Sequence, residues 1–230
     1  MAEPDRSGLP PIPYSVFIPG VQKAATSTLY GLLVRHRNVA TSGRKERHFF
    51  DDESQDWAAP DYTSYVAKAS GPKARIAIDA TPSYLFWPHA LERIQRYQPR
   101  ARLIVTFRDP VERAFSQWLM NAGRAAAAGK GCPTFTQALR RAATWDARLA
   151  SGEPLASTHG LRDDSLVSRG RYGEQLRRAR ALFPDEQVME VDFAQLVSHQ
   201  VEIAREAFAF LGLPPMRREI EPLTANPSTR

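Results

Sequence analysis

The chain is expected to form an α/β fold of three layers. A central parallel sheet would lie between helices, and a phosphate-binding loop of P-loop-like character would follow its first strand. Three observations lead there. Arg102-Leu-Ile-Val-Thr-Phe107 is a near-continuous β-branched and aromatic run, as expected of a parallel strand covered on both faces. Ser15-Val-Phe-Ile18 is a second apolar run, broken by Pro19-Gly20 and followed near Thr26-Ser27 by a helical pattern with Leu29, Leu32 and Leu33 on one face. Strands and helices then alternate along the chain, the pattern of a parallel sheet wrapped by helices. A chain of 230 residues accommodates one such domain with a sizeable core.

Met1 to Pro13 is proline-rich and lacks an apolar pattern, so it is expected to be a flexible lead-in to a single domain over residues 14–230. After the first strand and helix, Arg37 to Arg47 reads as a loop leading into His48-Phe-Phe-Asp51, and Asp52 to Pro60 is acidic and loop-like. Tyr62 to Ala69 reads as a short helix stopped by Gly71-Pro72. Ala74-Arg-Ile-Ala-Ile-Asp79 is a strand, Leu91 to Tyr97 a helix, and Pro110 opens a helix running to about Asn121. From Ala122 to Ser168 the pattern loosens into helices joined by irregular segments. A helix over Glu174–Phe183, a strand over Gln187–Val191 and a helix from Val201 to Leu211 complete the chain before Gly212 and Pro214-Pro215.

Net charge is +6 with a pI near 9.7, which suits an anionic ligand. The basic residues are scattered, with no long Lys/Arg tract, which argues against nucleic acid as the partner. Cys132 is the sole cysteine, so no intrachain disulfide or cysteine zinc cluster is possible, and the histidines show no metal-ligand spacing. No apolar run approaches the roughly 20 residues of a membrane span. The polar N-terminus is unlike a signal peptide, so a cytoplasmic location is expected.

In parallel sheets ligands bind at the carboxyl ends of strands. The candidate site segments are therefore Gly20–Ser27, Thr81–Tyr84 and Arg108–Ser116. In the first, a helix N-terminus offers unpaired N–H groups and a favourable dipole, Lys23 adds a charge, and Thr26 and Ser27 add hydroxyls. The spacing G-x-x-K-x-x-T-S differs from the nucleoside triphosphate loop G-x-x-x-x-G-K-[ST], and a plain strand–helix connection with a solvated lysine is the alternative. Arg108, with its planar fork, and Ser116 on the following helix suit a second phosphate, unless Arg108 pairs with Asp109 or Glu112 in a surface network. Glu46 and His48 flank Arg47, and on an extended segment they would face one side as a candidate general base and a titratable neighbour. A solvated loop is the alternative there.

Taken in order, Gly20-Val-Gln-Lys-Ala-Ala-Thr-Ser27, Lys45-Glu-Arg-His-Phe-Phe-Asp51, Thr81-Pro-Ser-Tyr84 and Arg108-Asp-Pro-Val-Glu-Arg-Ala-Phe-Ser116 resemble the sulfotransferases that use 3′-phosphoadenosine 5′-phosphosulfate (PAPS). The branch in question holds the heparan sulfate N- and O-sulfotransferases and their bacterial relatives. Gly170-Arg-Tyr-Gly-Glu-Gln-Leu176 and Phe208-Ala-Phe-Leu-Gly-Leu213 extend the likeness over about residues 15–215. The resemblance implies sulfuryl transfer to a hydroxyl, with PAPS as co-substrate and no metal. The acceptor would be a carbohydrate or glycosylated metabolite. It implies that Lys23 contacts the 5′-phosphosulfate and that Gln22, Ala24, Ala25, Thr26, Ser27 and Thr28 line that loop. Arg108 and Ser116 would grip the 3′-phosphate, and Glu46 would be the base with His48 beside it. Ala24-Ala25 stand where glycines are frequent, which suits alanine if neither position needs a positive φ. Ala80 stands where the heparan enzymes carry a lysine, which implies a different or less anionic acceptor. The family's closing segment beyond Leu213 is expected to be short or absent, since the sequence ends at Arg230.

Two rival functions make separate predictions. An ATP-dependent phosphotransferase would use Asp79 at a strand end to hold magnesium. A non-catalytic polyanion-binding module would bind with steep salt dependence and ignore the 3′-phosphate. Trp57, Trp87, Trp118 and Trp145 are candidates for stacking on an acceptor ring, or else core residues.

Overall fold

The computed structural model describes residues 11–40, 45–68, 73–151, 159–216 and 218–223. Strands β1 (Ile12–Gly20), β2 (Val39–Ala40), β4 (Ile76–Asp79), β5 (Arg102–Phe107) and β6 (Val188–Asp192) form a parallel sheet in the order β2-β4-β1-β5-β6. The short strand β3 (Val66–Ala67) pairs antiparallel with the start of β1. Around the sheet run α1 (Thr26–Leu33), α2 (Ala90–Tyr97), α3 (Pro110–Ala127), α4 (Phe135–Ala150), α5 (His159–Asp164), α6 (Tyr172–Leu182), α7 (Phe193–Ser198) and α8 (Gln200–Phe210). The expected architecture is present, with β1 at the centre.

The alternation of the strands, shifted in β1 by an irregularity between Tyr14 and Val16, divides the core in two. Val16, Ile18, Ile78 and Ile104 face a layer containing Leu29, Leu32 and Leu33 of α1 and Ala204, Ala207 and Phe208 of α8. Tyr14, Phe17, Leu103 and Val105 face the opposite layer, with Leu91 and Ile94 of α2 and Ala179 of α6. Burial decides where α1 sits. It has no side-chain cap at its N-terminus, a deficit of about 1 kcal/mol. Leu29, Leu32 and Leu33 are each fully buried, and each contributes about 1.5–3 kcal/mol. The helix therefore holds its place with its first N–H groups unclaimed by any side chain.

Several local expectations are corrected. The helix expected over Tyr62–Ala69 is absent from its described residues, Tyr62–Lys68: Tyr62 and Tyr65 pack against Phe49 and Tyr97, and Val66–Ala67 is strand, while Ala69 lies outside the described residues. Ile12 and Pro13 are not part of a lead-in but pair with Ala67 and Val66, while residues 1–10 lie outside the described residues. Helix α3 runs on to Ala127, and α7 intervenes between β6 and α8, started by an Asp192 carboxylate that accepts from Gln195 N. No described helix is long and apolar enough to cross a membrane.

Candidate active site

Three connections bring the site together at the carboxyl edge of the sheet: β1 to α1, β4 to α2 and β5 to α3. The first is tied to its neighbours by backbone. Val21 N donates to Thr106 O at 2.8 Å, and Leu85 N donates to Pro19 O at 2.8 Å. Gly20 is required by close approach, since a Cβ there would lie 2.9 Å from Leu85 Cβ. Beyond it, Lys23 and Ala25 both adopt left-handed backbone, with φ of 72° and 59°. Left-handed residues in a turn swing successive N–H groups to one side and form a concavity suited to an anion. The condition under which both alanines would be comfortable, no positive φ at either, is not met at Ala25. Ala24 is buried beside it, Thr26 is buried, Ser27 is exposed, and Gln22 and Thr28 are half-buried.

The β5–α3 connection brings Arg108 to the same place. Its Nη1 donates to the Lys23 carbonyl at 3.3 Å, and its guanidinium lies 4.4 Å from the centre of the Phe193 ring. Tyr172 OH donates to the Arg108 carbonyl at 2.9 Å. Asp109 does not pair with Arg108. It caps α3, accepting from Val111 N and Glu112 N at 2.9 Å, with Pro110 in the first turn. Glu112 is the acid that Arg108 meets, at 3.2 Å, the pairing that the surface-network alternative foresaw. Ser116 is buried one face round from Arg113, whose guanidinium donates to Gln117 Oε1 at 2.7 Å and to the Leu166 carbonyl. Burial pushes Arg113 down to about 10.

Electrostatics mark this half of the site as a place for negative charge. Burial lowers the Lys23 pKa, and the Arg108 and Arg124 guanidiniums lower it further. Among the described residues no carboxylate pairs with Lys23 Nζ or with Arg124. Arg124 went unnoticed in the sequence because α3 was expected to stop near Asn121; two helical turns past Ser116, it was within reach of a longer helix.

The Lys45–Asp51 loop lies beside the β4–α2 connection. It is not extended: Glu46 and His48 have φ of 61° and 52°. Their side chains meet nonetheless, with His48 Nε2 3.7 Å from Glu46 Oε2. Lys45 Nζ lies 2.9 Å from Glu46 Oε1. On its other side, His48 Nδ1 lies 2.9 Å from an oxygen of Asp51, a buried carboxylate that also accepts from Ser83 Oγ. Hydrogen bonding from His48 holds the Glu46 carboxyl down at about 2, with Lys45 assisting and burial opposing. Asp51 closes the motif quoted in the sequence but was given no role of its own there. Its spacing of three from His48 was the available signal.

Asp79 is unavailable to a metal ion facing the cleft. It is 1% exposed, and its oxygens accept from Tyr65 OH at 2.5 Å, Thr81 Oγ1 at 2.6 Å and Tyr84 OH at 2.9 Å. This removes the feature on which the ATP-dependent alternative rested. Of the tryptophans, Trp87 is core. Trp57 packs on Phe49 and Phe50 beneath the Arg93 guanidinium, and Trp118 packs on Phe115 and Phe135.

Comparison with known proteins agrees with this geometry. The model of the sulfotransferase family matches residues 13–217, nine-tenths of the chain. The chain belongs to the sulfotransferase family. Among its relatives, human heparan sulfate glucosamine 3-O-sulfotransferase 3B1 is 30% identical over 209 residues, covering 90% of this chain and 48% of the relative. Mouse heparan sulfate glucosamine 3-O-sulfotransferase 6 is 29% identical over 203 residues, covering 85% and 51%. The chain thus spans about half the length of the curated relatives it matches. A sulfotransferase from Alicyclobacillus acidocaldarius shares the fold, with a TM-score of 0.70 at 22% identity over 94% of this chain and 87% of that one.

Proposed function

We propose that this sulfotransferase moves a sulfuryl group from PAPS to a hydroxyl of a carbohydrate or a glycosylated small molecule. The observation that carries the reading is Lys23 in a left-handed loop at the N-terminus of α1, with the Arg108 guanidinium bonded to its carbonyl and the charges of Arg108 and Arg124 felt at its ammonium. Cations gathered at such a loop, with Arg108 paired only to the largely exposed Glu112, fit a ligand with several negative charges. The residues suit PAPS. Lys23, the loop from Gln22 to Thr28 and the first N–H groups of α1 would hold the 5′-phosphosulfate. Arg108 and Ser116 would hold the 3′-phosphate. Bound there, the nucleotide supplies an activated sulfuryl group with adenosine 3′,5′-bisphosphate as leaving group.

The chain's own contributions follow from charge. Lys23 and the α1 N-terminus face the place where negative charge grows on the leaving oxygen, and stabilise it. Glu46 is ionised throughout the physiological range and so can accept the acceptor's hydroxyl proton at its carboxylate. Asp51 fixes the orientation of His48, which in turn orients Glu46. The acceptor class is supported by the heparan sulfate relatives. Ala80, 1% exposed, places no charge beside Thr81 and so favours an acceptor of low charge there.

Calorimetric titration with adenosine 3′,5′-bisphosphate, AMP and ATP–magnesium tests the reading. Strong preference for the bisphosphate is expected, because two separate phosphate grips are proposed. Equal affinity for AMP would remove the 3′-phosphate site, and preference for ATP–magnesium would overturn the assignment.

A further inference from the structure

Asp79 closes β4, beside the central strand β1, in register with Phe17 of β1. It is buried, and no Lys, Arg or His side chain pairs with it among the described residues. Its partners are hydroxyls: Tyr65 and Tyr84 donate to one oxygen at 2.5 and 2.9 Å, and Thr81 donates to the other at 2.6 Å. Each of these hydroxyls has one proton to give. Once Asp79 has taken it, the oxygen turns its lone pairs outward as an acceptor.

Two of those acceptors face the loop that carries Glu46 and His48. Tyr84 OH accepts from Phe49 N at 2.9 Å and from Phe50 N at 3.5 Å. Thr81 Oγ1 accepts from His48 N at 3.5 Å. The N–H groups of His48, Phe49 and Phe50 are thus all referred, each through one hydroxyl, to a single carboxylate on the sheet. The loop needs such an anchor. Glu46 and His48 both hold left-handed backbone, which bulky residues keep only where the surroundings over-determine it. Because β4 pairs with β1, which carries the phosphate loop, the same anchor refers Glu46 to Lys23.

We infer that Asp79 is a positioning residue for sulfuryl transfer, holding the Glu46–His48 loop in place through the hydroxyls of Thr81 and Tyr84. The inference rests on the proposed role of Glu46. In an Asp79→Asn chain the side-chain amide must place a donor where one hydroxyl now donates, so at least one hydroxyl turns its proton away from Asp79 and toward the loop. In Tyr84→Phe the ring remains, while the acceptor for Phe49 N and Phe50 N and one donor to Asp79 are lost.

The test is amide hydrogen exchange on the full chain, read beside bisphosphate affinity and steady-state kinetics. In both variants, exchange at Phe49 and Phe50 is expected to quicken about tenfold, with β1 and β5 unchanged. Affinity for adenosine 3′,5′-bisphosphate should stay within about twofold, and kcat should fall about 100-fold with little change in acceptor KM. The double variant should be no worse than the worse single one, since both break one chain of bonds. Unchanged exchange at Phe49 and Phe50 would overturn the inference, as would protection lost evenly through β1, β4 and β5. If Asp79→Asn fails to fold, Tyr84→Phe and Thr81→Val carry the same test. Exchange is read without turnover. A wild-type chain that ignores the bisphosphate would sink the sulfotransfer reading, whereas unchanged exchange would sink the role of Asp79.

Discussion

On the proposed phosphate side of the cleft, the charges of Arg108 and Arg124 depress the Lys23 ammonium, and among the described residues Glu112 is the acid paired with Arg108. On the acceptor side, Lys45, Glu46, His48 and Asp51 already hold one another. The first half is left short of negative charge, as the proposed nucleotide site requires. The second is complete in itself and must yield a bond when a proton is to be taken. Affinity for the nucleotide should therefore reside in the first half and turnover in the second.

The widest separation is expected from Glu46→Gln, which keeps the shape of the loop and removes the proton acceptor. kcat should fall by about 10²–10⁴-fold, the usual range for a general base. Affinity for adenosine 3′,5′-bisphosphate, measured by calorimetry, should move less than about twofold, because Glu46 lies outside the cation cluster. Equal losses in both would mean that the two halves are not separable.

Next come the cations. Lys23→Ala and Arg108→Ala should each weaken bisphosphate binding by about 1–3 kcal/mol, the worth of a charge-assisted hydrogen bond. Only Arg108→Ala should erase the preference for the bisphosphate over AMP. Glu112→Gln should act the other way and tighten binding slightly, by less than about 1 kcal/mol, since the Arg108–Glu112 pair is exposed on its acid side.

These two halves were not equally legible in the sequence. Apolar runs placed β1, β4 and β5, and the rule that ligands gather at strand ends then singled out Lys23, Arg108 and Ser116 from local pattern alone. Strands β2 and β3 have two residues each, too few to show a period. The segment from Tyr62 failed as a helix because its tyrosines are spaced for stacking on Phe49 and Tyr97, a tertiary demand. Backbone handedness was the larger gap. Ala25, Glu46 and His48 carry no local mark of a positive φ, which only glycine would have advertised. The pairing of His48 with Asp51 and the hydroxyl shell of Asp79 likewise depend on how separate segments pack.

Lys45→Met sharpens the acceptor side. Glu46 is held at about 2, against an ordinary value of 4.5, by His48 first and Lys45 after it. With the folded value depressed, the pairing stabilises the protein fully above about pH 4.5 and is lost as pH falls toward 2. Removing Lys45 should raise the Glu46 value. The acid limb of kcat should then move to higher pH, and the fall in urea midpoint between pH 5 and pH 3 should become shallower. The stability change should be small, because the Glu46 side chain is 45% exposed and water screens the pair.

The smallest effect is expected at Ala25, and its size tests whether the phosphate loop is shaped by its backbone alone. A left-handed alanine costs about 1–2 kcal/mol, which Ala25→Gly would relieve. Against that, glycine adds unfolded-state entropy, about 0.4–1 kcal/mol, and the methyl of Ala25 is buried, worth about 0.8 kcal/mol. The three contributions nearly cancel, so the urea midpoint should change little and bisphosphate affinity should hold. Ala25→Val has no such cancellation, since a β-branched residue is a steric outlier at positive φ. Valine should lower both stability and bisphosphate affinity. If valine is tolerated in both, the left-handed turn at Ala25 does not shape the anion site, and Lys23 with Arg108 must hold the nucleotide by charge without it.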